Sequence, residues 1–298
     1  MSEESGAGSW LSALGDVAAG RMPIPLREVQ SELDERLRKV PNRLNEYRYD
    51  AFGLSPDFVR TSALPGVLLY RHYFRVETHD IGRMPPGRVL VIANHAGQLP
   101  FDAMMLQTAL LLEAEPPRIA RSMGEYWIPR LPFVNVMAAR GGAMVGTPHN
   151  CAQMLHQGEC VAVFPEGVRG MNKLYRDRYQ LQRVGLGFMR LALETRTPIV
   201  PVGIVGSEEQ QPGIANLSGL ARLLGMPAFP ITPTFPWLGP LGLLPLPVKY
   251  RIHFGEPILF EGDADEEDAA IEQRVDTVKA EITALLQRGL SERSGIFR

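Results

Sequence analysis

Only two cysteines occur in 298 residues, Cys151 and Cys160, and no two histidines or cysteines fall at a metal-ligand spacing. That excludes a disulfide framework and a metal finger, fits a reducing compartment, and leaves both thiols as packing residues. No uninterrupted apolar run is long enough, at about twenty residues, to cross a bilayer as a helix, so any membrane contact is expected to be peripheral. The opening MSEESGAGSW is acidic and polar, where a secretory leader needs a basic and then an apolar block. A net charge of -2 gives no support for general nucleic-acid binding. G-x-S-x-G, Walker A and G-x-G-x-x-G sequences are all missing, and with them the usual signs of serine-nucleophile and nucleotide mechanisms.

What is present is an ordinary globular composition, 45% hydrophobic and 21% charged, with length for a large core. Charge is uneven along the chain. Arg118 to Arg196 holds eleven lysines and arginines against five acids, a formal +6, whereas Glu261 to Asp268 reads EGDADEED. A basic middle suits an anionic ligand and equally suits a solvated face.

Two regions are expected, an N-terminal helical extension over 1–65 and a body over 66–298. In the first, Leu26, Val29, Leu33, Leu37 and Val40 recur at helical spacing until Pro41 closes the run. Trp10, Leu14 and Val17 share one side of an earlier helix, which either packs on the body or lies on a membrane. Asp50 to Pro65 reads as a loop. From Tyr73 onward strand and helix patterns alternate. Strands are expected at YFRVETHDI, RVLVIAN, RIARS, VNVMAAR, CVAVFPE, TPIVPVGIVG and VKYRIHFGEPI. Helices are expected at PFDAMMLQTALLLEA, from Thr147-Pro148 to Gly158, at GFMRLALET, and from Ile271 to a stop at Gly289. This alternation predicts an α/β fold with a largely parallel mixed sheet covered by helices on both faces. Ala228 to Val248 is nearly uncharged and holds six prolines, so it reads as a loop, laid either over the core or against lipid with Trp237 at the interface.

The chemistry concentrates where buried strands end. Val89 to Ala93 is followed by Asn94-His95, and Asp102 opens the next helix. A second buried strand ends in VFPEGVRGMNK, where Pro165 and Gly167 shape a turn and Glu166 and Arg169 offer an acceptor and a fork of donors. If the strands are parallel, both motifs open on one sheet edge, the usual place for ligands in such folds. A His-Asp pair with no evident protein nucleophile suits a general base acting on a substrate hydroxyl.

NHAGQLPFD, VMAARGG, FPEGVRG and TPIVPV, in this order, resemble the four motifs of the PlsC-like glycerolipid and lysophospholipid acyltransferases, over about Phe74 to Ile258. PFD, FPEGVRG and the GSEEQ after the fourth motif look most like the mono- and diacylglycerol-acyltransferase-like branch. The resemblance implies the glycerol-3-phosphate acyltransferase-like fold and acyl transfer from acyl-CoA or acyl carrier protein to a hydroxyl, with no other cofactor and no metal. By position it makes His95 the base and Asp102 the residue that holds its imidazole. Asn94, Arg140, Glu166, Gly167, Arg169 and Pro198 become substrate-binding residues, with Pro201 also in the pocket wall. Two departures stand out. Six residues separate His95 from Asp102 where most of the superfamily has four, placing Pro100 at the usual acid position. Val134 also replaces the second motif's leading glycine.

The expected function is therefore a cytoplasmic O-acyltransferase, peripheral to the inner face of a membrane, acting on a glycerolipid or lysophospholipid. A non-glycerol acceptor such as a wax alcohol or ornithine lipid is the nearest alternative, and a catalytically silent membrane-binding scaffold the more distant one. Lys173, Arg176 and Arg178 either meet donor phosphates or anionic headgroups, or are simply solvated.

Overall fold

Val89–Ala93, strand β2, is buried at every position, as an unbroken aliphatic run requires when both faces of a sheet are covered. The computed structural model describes residues 26–41, 44–124, 133–223 and 228–298. The expected helix around Trp10 lies outside them. Seven strands form one sheet: β1 (Glu77–His79), β2, β3 (Arg121–Gly124), β4 (Met144–Val145), β5 (Cys160–Val163), β6 (Ile199–Val205) and β9 (Arg251–Phe254). Their order is β1-β9-β6-β2-β5-β3-β4, and every pair is parallel except β6–β9. β7 (Ala215–Asn216) and β8 (Pro230–Ile231) make a separate two-stranded ribbon.

Period-two alternation along β2 divides the core between two layers. Val89, Val91 and Ala93 pack with Val29 and Leu33 of α1 (Leu26–Lys39), Val67 of α2 (Pro56–Leu68), and Met105 and Leu110 of α3 (Phe101–Leu112). Leu90 and Ile92 face the other way. They meet a layer that includes Met154 of α5 (Pro148–His156), Met189 of α6 (Gly187–Thr195), and Ile271, Val275 and Ile282 of α7 (Asp268–Glu292). Each such side chain stabilises the fold by about 1.5–3 kcal/mol when fully buried. Both cysteines are buried in these layers, where desolvation pushes the Cys151 thiol up to about 11 and the Cys160 thiol up to about 12.

Three local readings change. The stretch 50–65 is not all loop, because Ser55 accepts the Phe58 N–H and caps α2, with Pro56 at its first position and Asp57 in its first turn. VNVMAAR is helix α4 (Val134–Arg140), not a strand. Both edges of β3 are already paired, with β5 and β4, and α4 leaves Val134, Val136 and Met137 exposed. Gly289 does not stop α7, which runs on to Glu292 with Gly289 buried in its interior.

Candidate active site

β2 and β5 are parallel neighbours, with Val89 level with Cys160 and Ile92 with Val163, so the residues that follow both strands emerge at the same sheet edge. His95 follows β2, and Glu166 follows β5. The His95 imidazole is buried, and its Nδ1 lies 2.7 Å from Asp102 Oδ2. Asp102 has no exposed surface and sits in the first turn of α3. Its Oδ2 also accepts the Ala96 N–H at 2.9 Å and its Oδ1 the Ala103 N–H at 2.7 Å. Asp102, as the acceptor at Nδ1, fixes the proton of a neutral imidazole on that nitrogen. Nε2 has no hydrogen-bond partner among the described residues. Such a pair presents a lone pair outward at Nε2.

The two extra residues between His95 and Asp102 form a bend. Gly97 has φ +77, and a Cβ there would lie 2.2 Å from Gln210 Nε2 and 2.8 Å from the Ser207 carbonyl oxygen. The chain thus passes over the short helix Ser207–Gln210, and Gln210 Nε2 donates to the Leu99 carbonyl at 3.3 Å. The bend brings Asp102 back to His95 with no need for an acid at position 100.

Electrostatics around the imidazole oppose one another. Burial disfavours the imidazolium. The charge and hydrogen bond of Asp102, with Glu166 behind it, outweigh burial and the nearby Lys173, and the His95 pKa is raised above its ordinary 6.5. Phe164 packs against the ring at 4.5 Å between centroids. Glu166 accepts the His95 backbone N–H at 2.9 Å on Oε1 and the Gln182 N–H at 2.6 Å on Oε2. Gly167 takes φ +56 and donates its N–H to the Phe164 carbonyl at 2.9 Å, turning the chain into Val168–Met171. Arg169 is exposed on that turn, with no hydrogen-bond or ion-pair partner among the described residues, and the next residue, Gly170, lies against the His95 carbonyl.

Other expected site residues lie elsewhere. Both amide atoms of Asn94 are committed to the backbone of β6: Nδ2 donates to the Ile204 carbonyl at 3.1 Å, and Oδ1 accepts the Ile204 N–H at 2.7 Å. Asn94 therefore clips two strands together. Pro198 precedes β6, where Ile199 is level with Leu90, so it stands at the opposite edge of the sheet from His95. Pro201 is level with Ile92, inside the sheet. Arg140 ends α4 over the Tyr49 ring at 5.9 Å, in a shallow hollow of ≈ 310 Å³ shared with Gly53 and Asn135. His95, Asp102 and Glu166 do not line that hollow.

Sequence reasoning missed a buried polar layer beneath the site. Lys173 is not a solvated cation: it is buried, with Nζ 2.8 Å from Glu208 Oε1 and 3.7 Å from Glu166 Oε2. Burial raises the Glu208 pKa, against the pull of Lys173. Glu209 accepts from the Tyr179 hydroxyl and, at 2.7 Å, from Arg293, while Tyr250 donates to Gln210 Oε1 at 2.5 Å. The available signal was the position of GSEEQ, polar residues directly after a buried strand, as with Asn94-His95.

Residues 75–205 match the family model described as Acyltransferase. An uncharacterized protein of Mycobacterium tuberculosis (strain ATCC 25618 / H37Rv) is 42% identical over 261 residues, 85% of this chain and 72% of that one. The chain belongs to the PlsC-like acyltransferase family. One relative in Mycobacterium leprae (strain TN), also uncharacterized, is 41% identical over 279 residues, 90% of this chain and 76% of its own. The "DGAT1/2-independent enzyme synthesizing storage lipids" of Gallus gallus is 26% identical over 217 residues, 71% of this chain and 59% of that enzyme. In fold, the acyltransferase resembles the 1-acyl-sn-glycerophosphate (LPA) acyltransferase PlsC from Thermotoga maritima, with a TM-score of 0.51 at 15% identity, covering 96% of this chain and 90% of that one. The protein is thus an acyltransferase, and no described helix is long and apolar enough to cross a membrane.

Proposed function

We propose that this acyltransferase moves a fatty acyl group from an acyl thioester to a glycerolipid hydroxyl, with His95 as general base. The observation that carries the reading is the His95–Asp102 pair, held at 2.7 Å with no described residue bonded to Nε2. Nε2 takes the proton of the acceptor hydroxyl as its oxygen attacks the thioester carbonyl. The C–S bond then breaks, the thiolate leaves, and the imidazolium returns the proton to it. Asp102 stabilises the imidazolium, and no acyl-enzyme is needed.

For the donor, acyl-CoA is favoured by a hollow of ≈ 470 Å³ in which Arg176, Arg178 and Arg293 surround Tyr179, a cationic lining suited to phosphates. For the acceptor, a neutral acylglycerol is favoured over a lysophosphatidic acid. Arg140 lies in another hollow, and the charge of Lys173 is met by buried carboxylates. The exposed Arg169, with no ion-pair partner among the described residues, supports the phosphorylated alternative. Docking at a membrane surface is supported by exposed Trp237, Leu238, Leu241 and Leu244. Their loop is tied to the His95 edge of the sheet by the Leu246 N–H donating to the Gln210 carbonyl at 2.7 Å.

The test is thiol release from palmitoyl-CoA by the purified protein, with monoacylglycerol or lysophosphatidic acid as acceptor and His95→Ala alongside. Acceptor-dependent release that the variant lacks supports the reading, and the better acceptor decides its class. Equal release by protein and variant would sink it.

A further inference from the structure

Away from His95, β1 and β9 are paired with His79 level with His253, and the two imidazoles stack at 4.3 Å between centroids and 6° between planes. His253 has no exposed surface, yet neither of its nitrogens has a hydrogen-bond partner, and Nε2 of His79 is also buried without one. A histidine kept for packing places at least one nitrogen on a carbonyl or hydroxyl, because an unmet buried polar atom costs about 1–3 kcal/mol. Three such nitrogens in one stacked pair are free to take a ligand.

The last turn of α7 supplies the missing oxygen. Glu292 Oε2 stands 3.9 Å from His253 Nε2, while Oε1 is held by Arg288 at 2.8 Å. Arg288 also reaches Asp80 Oδ2 at 2.7 Å, so the charges bordering the pair are known. One ligand atom from each of His79, His253 and Glu292 lies within 4.8 Å of the others. Tetrahedral zinc needs ligand atoms roughly 3.3 Å apart and each imidazole lone pair aimed at the ion, so binding turns the half-buried His79 ring out of the stack and brings the half-exposed Glu292 over by a change of rotamer. Gly289 makes the approach of α7 feasible, since a Cβ there would lie 2.8 Å from His253 Nε2.

We propose that His79, His253 and Glu292 form a binding site for a divalent transition metal, Zn²⁺ by ligand chemistry, that ties the C-terminal helix to the β1–β9 edge of the sheet. Two imidazoles and a carboxylate suit zinc, and Glu292 leaves a solvent path for its entry.

The protein is stripped with EDTA, titrated calorimetrically with ZnCl₂, and melted at a series of zinc concentrations. The expected result is one Zn²⁺ per chain and a Tm that climbs with the logarithm of zinc concentration. Glu292→Ala, a surface change that leaves the core intact, is expected to weaken binding at least tenfold, and His79→Ala with Glu292→Ala to abolish both effects. His95→Ala is expected to bind zinc unchanged, which separates this site from the catalytic histidine. No binding by the parent protein, binding undiminished in the double variant, or binding lost in His95→Ala would each overturn the proposal.

Discussion

His95 and Glu166 are joined across 71 positions of sequence by a hydrogen bond from the His95 backbone N–H to Glu166 Oε1, at 2.9 Å. The third motif thereby holds the first motif's histidine by its main chain, whatever else its glutamate touches. Glu166→Gln keeps an acceptor for only one of the two N–H groups and turns its amide toward the other. Loss of a buried charged hydrogen bond is worth about 1–3 kcal/mol, so if it is felt wholly in the transition state, kcat falls by about 5- to 160-fold. Steady-state kinetics on a variant with an unchanged circular dichroism spectrum checks it.

The raised His95 pKa sets the acid limb of activity. A base must be neutral, so activity rises with pH, with its midpoint above the ordinary 6.5. Asp102→Asn removes the charge that raises the value, moves the limb to lower pH, and lowers the plateau by about 10²–10⁴. The same proton stabilises the folded state. That contribution is complete below the unfolded pKa and is lost as pH rises through the raised folded value, a slope in Tm that the variant lacks. A limb in the same place for both proteins would contradict this account.

Breaking the buried pair from one side is expected to be costly. Lys173→Met leaves Glu208 and Glu166 uncompensated, at about 3–5 kcal/mol, whereas Lys173→Met with Glu208→Leu regains most of it. Urea unfolding of the two singles and the double gives the coupling directly.

Trp237 and Leu241 are 73% and 69% exposed on the proline-rich loop. Replacing both with alanine, or deleting 235–244, is expected to reduce co-sedimentation with liposomes by about tenfold or more, since each large apolar side chain contributes up to about 1.5–3 kcal/mol on burial. Unchanged sedimentation would assign the loop to another partner.

Much of the sheet was legible because it is buried on both faces: continuous aliphatic runs at 89–93, 160–163 and 199–205 cannot face water. The His95–Asp102 pair was legible because strand end and helix start are close in sequence. Arg140 and Pro198 stand away from His95, which motif order could not tell: it does not say which end of a sheet a residue meets, and Pro198 precedes β6 whereas His95 follows β2. VNVMAAR misled because a seven-residue window holds too few turns for its period to separate strand from helix. Lys173 was misjudged because a cation's burial is decided by carboxylates that the chain supplies 35 residues later.

The contact between Gly97 and Gln210 binds two distant parts of the sequence to one shape. A side chain at position 97 would meet the Gln210 amide at 2.2 Å, and the left-handed backbone there adds about 1–2 kcal/mol for any residue with a Cβ. A variant that fills position 97 therefore needs a shorter residue at 210 and a straighter bend. The spacing between histidine and acid and the residues after β6 are thus sterically coupled, so a change to one is tolerated only with a change to the other.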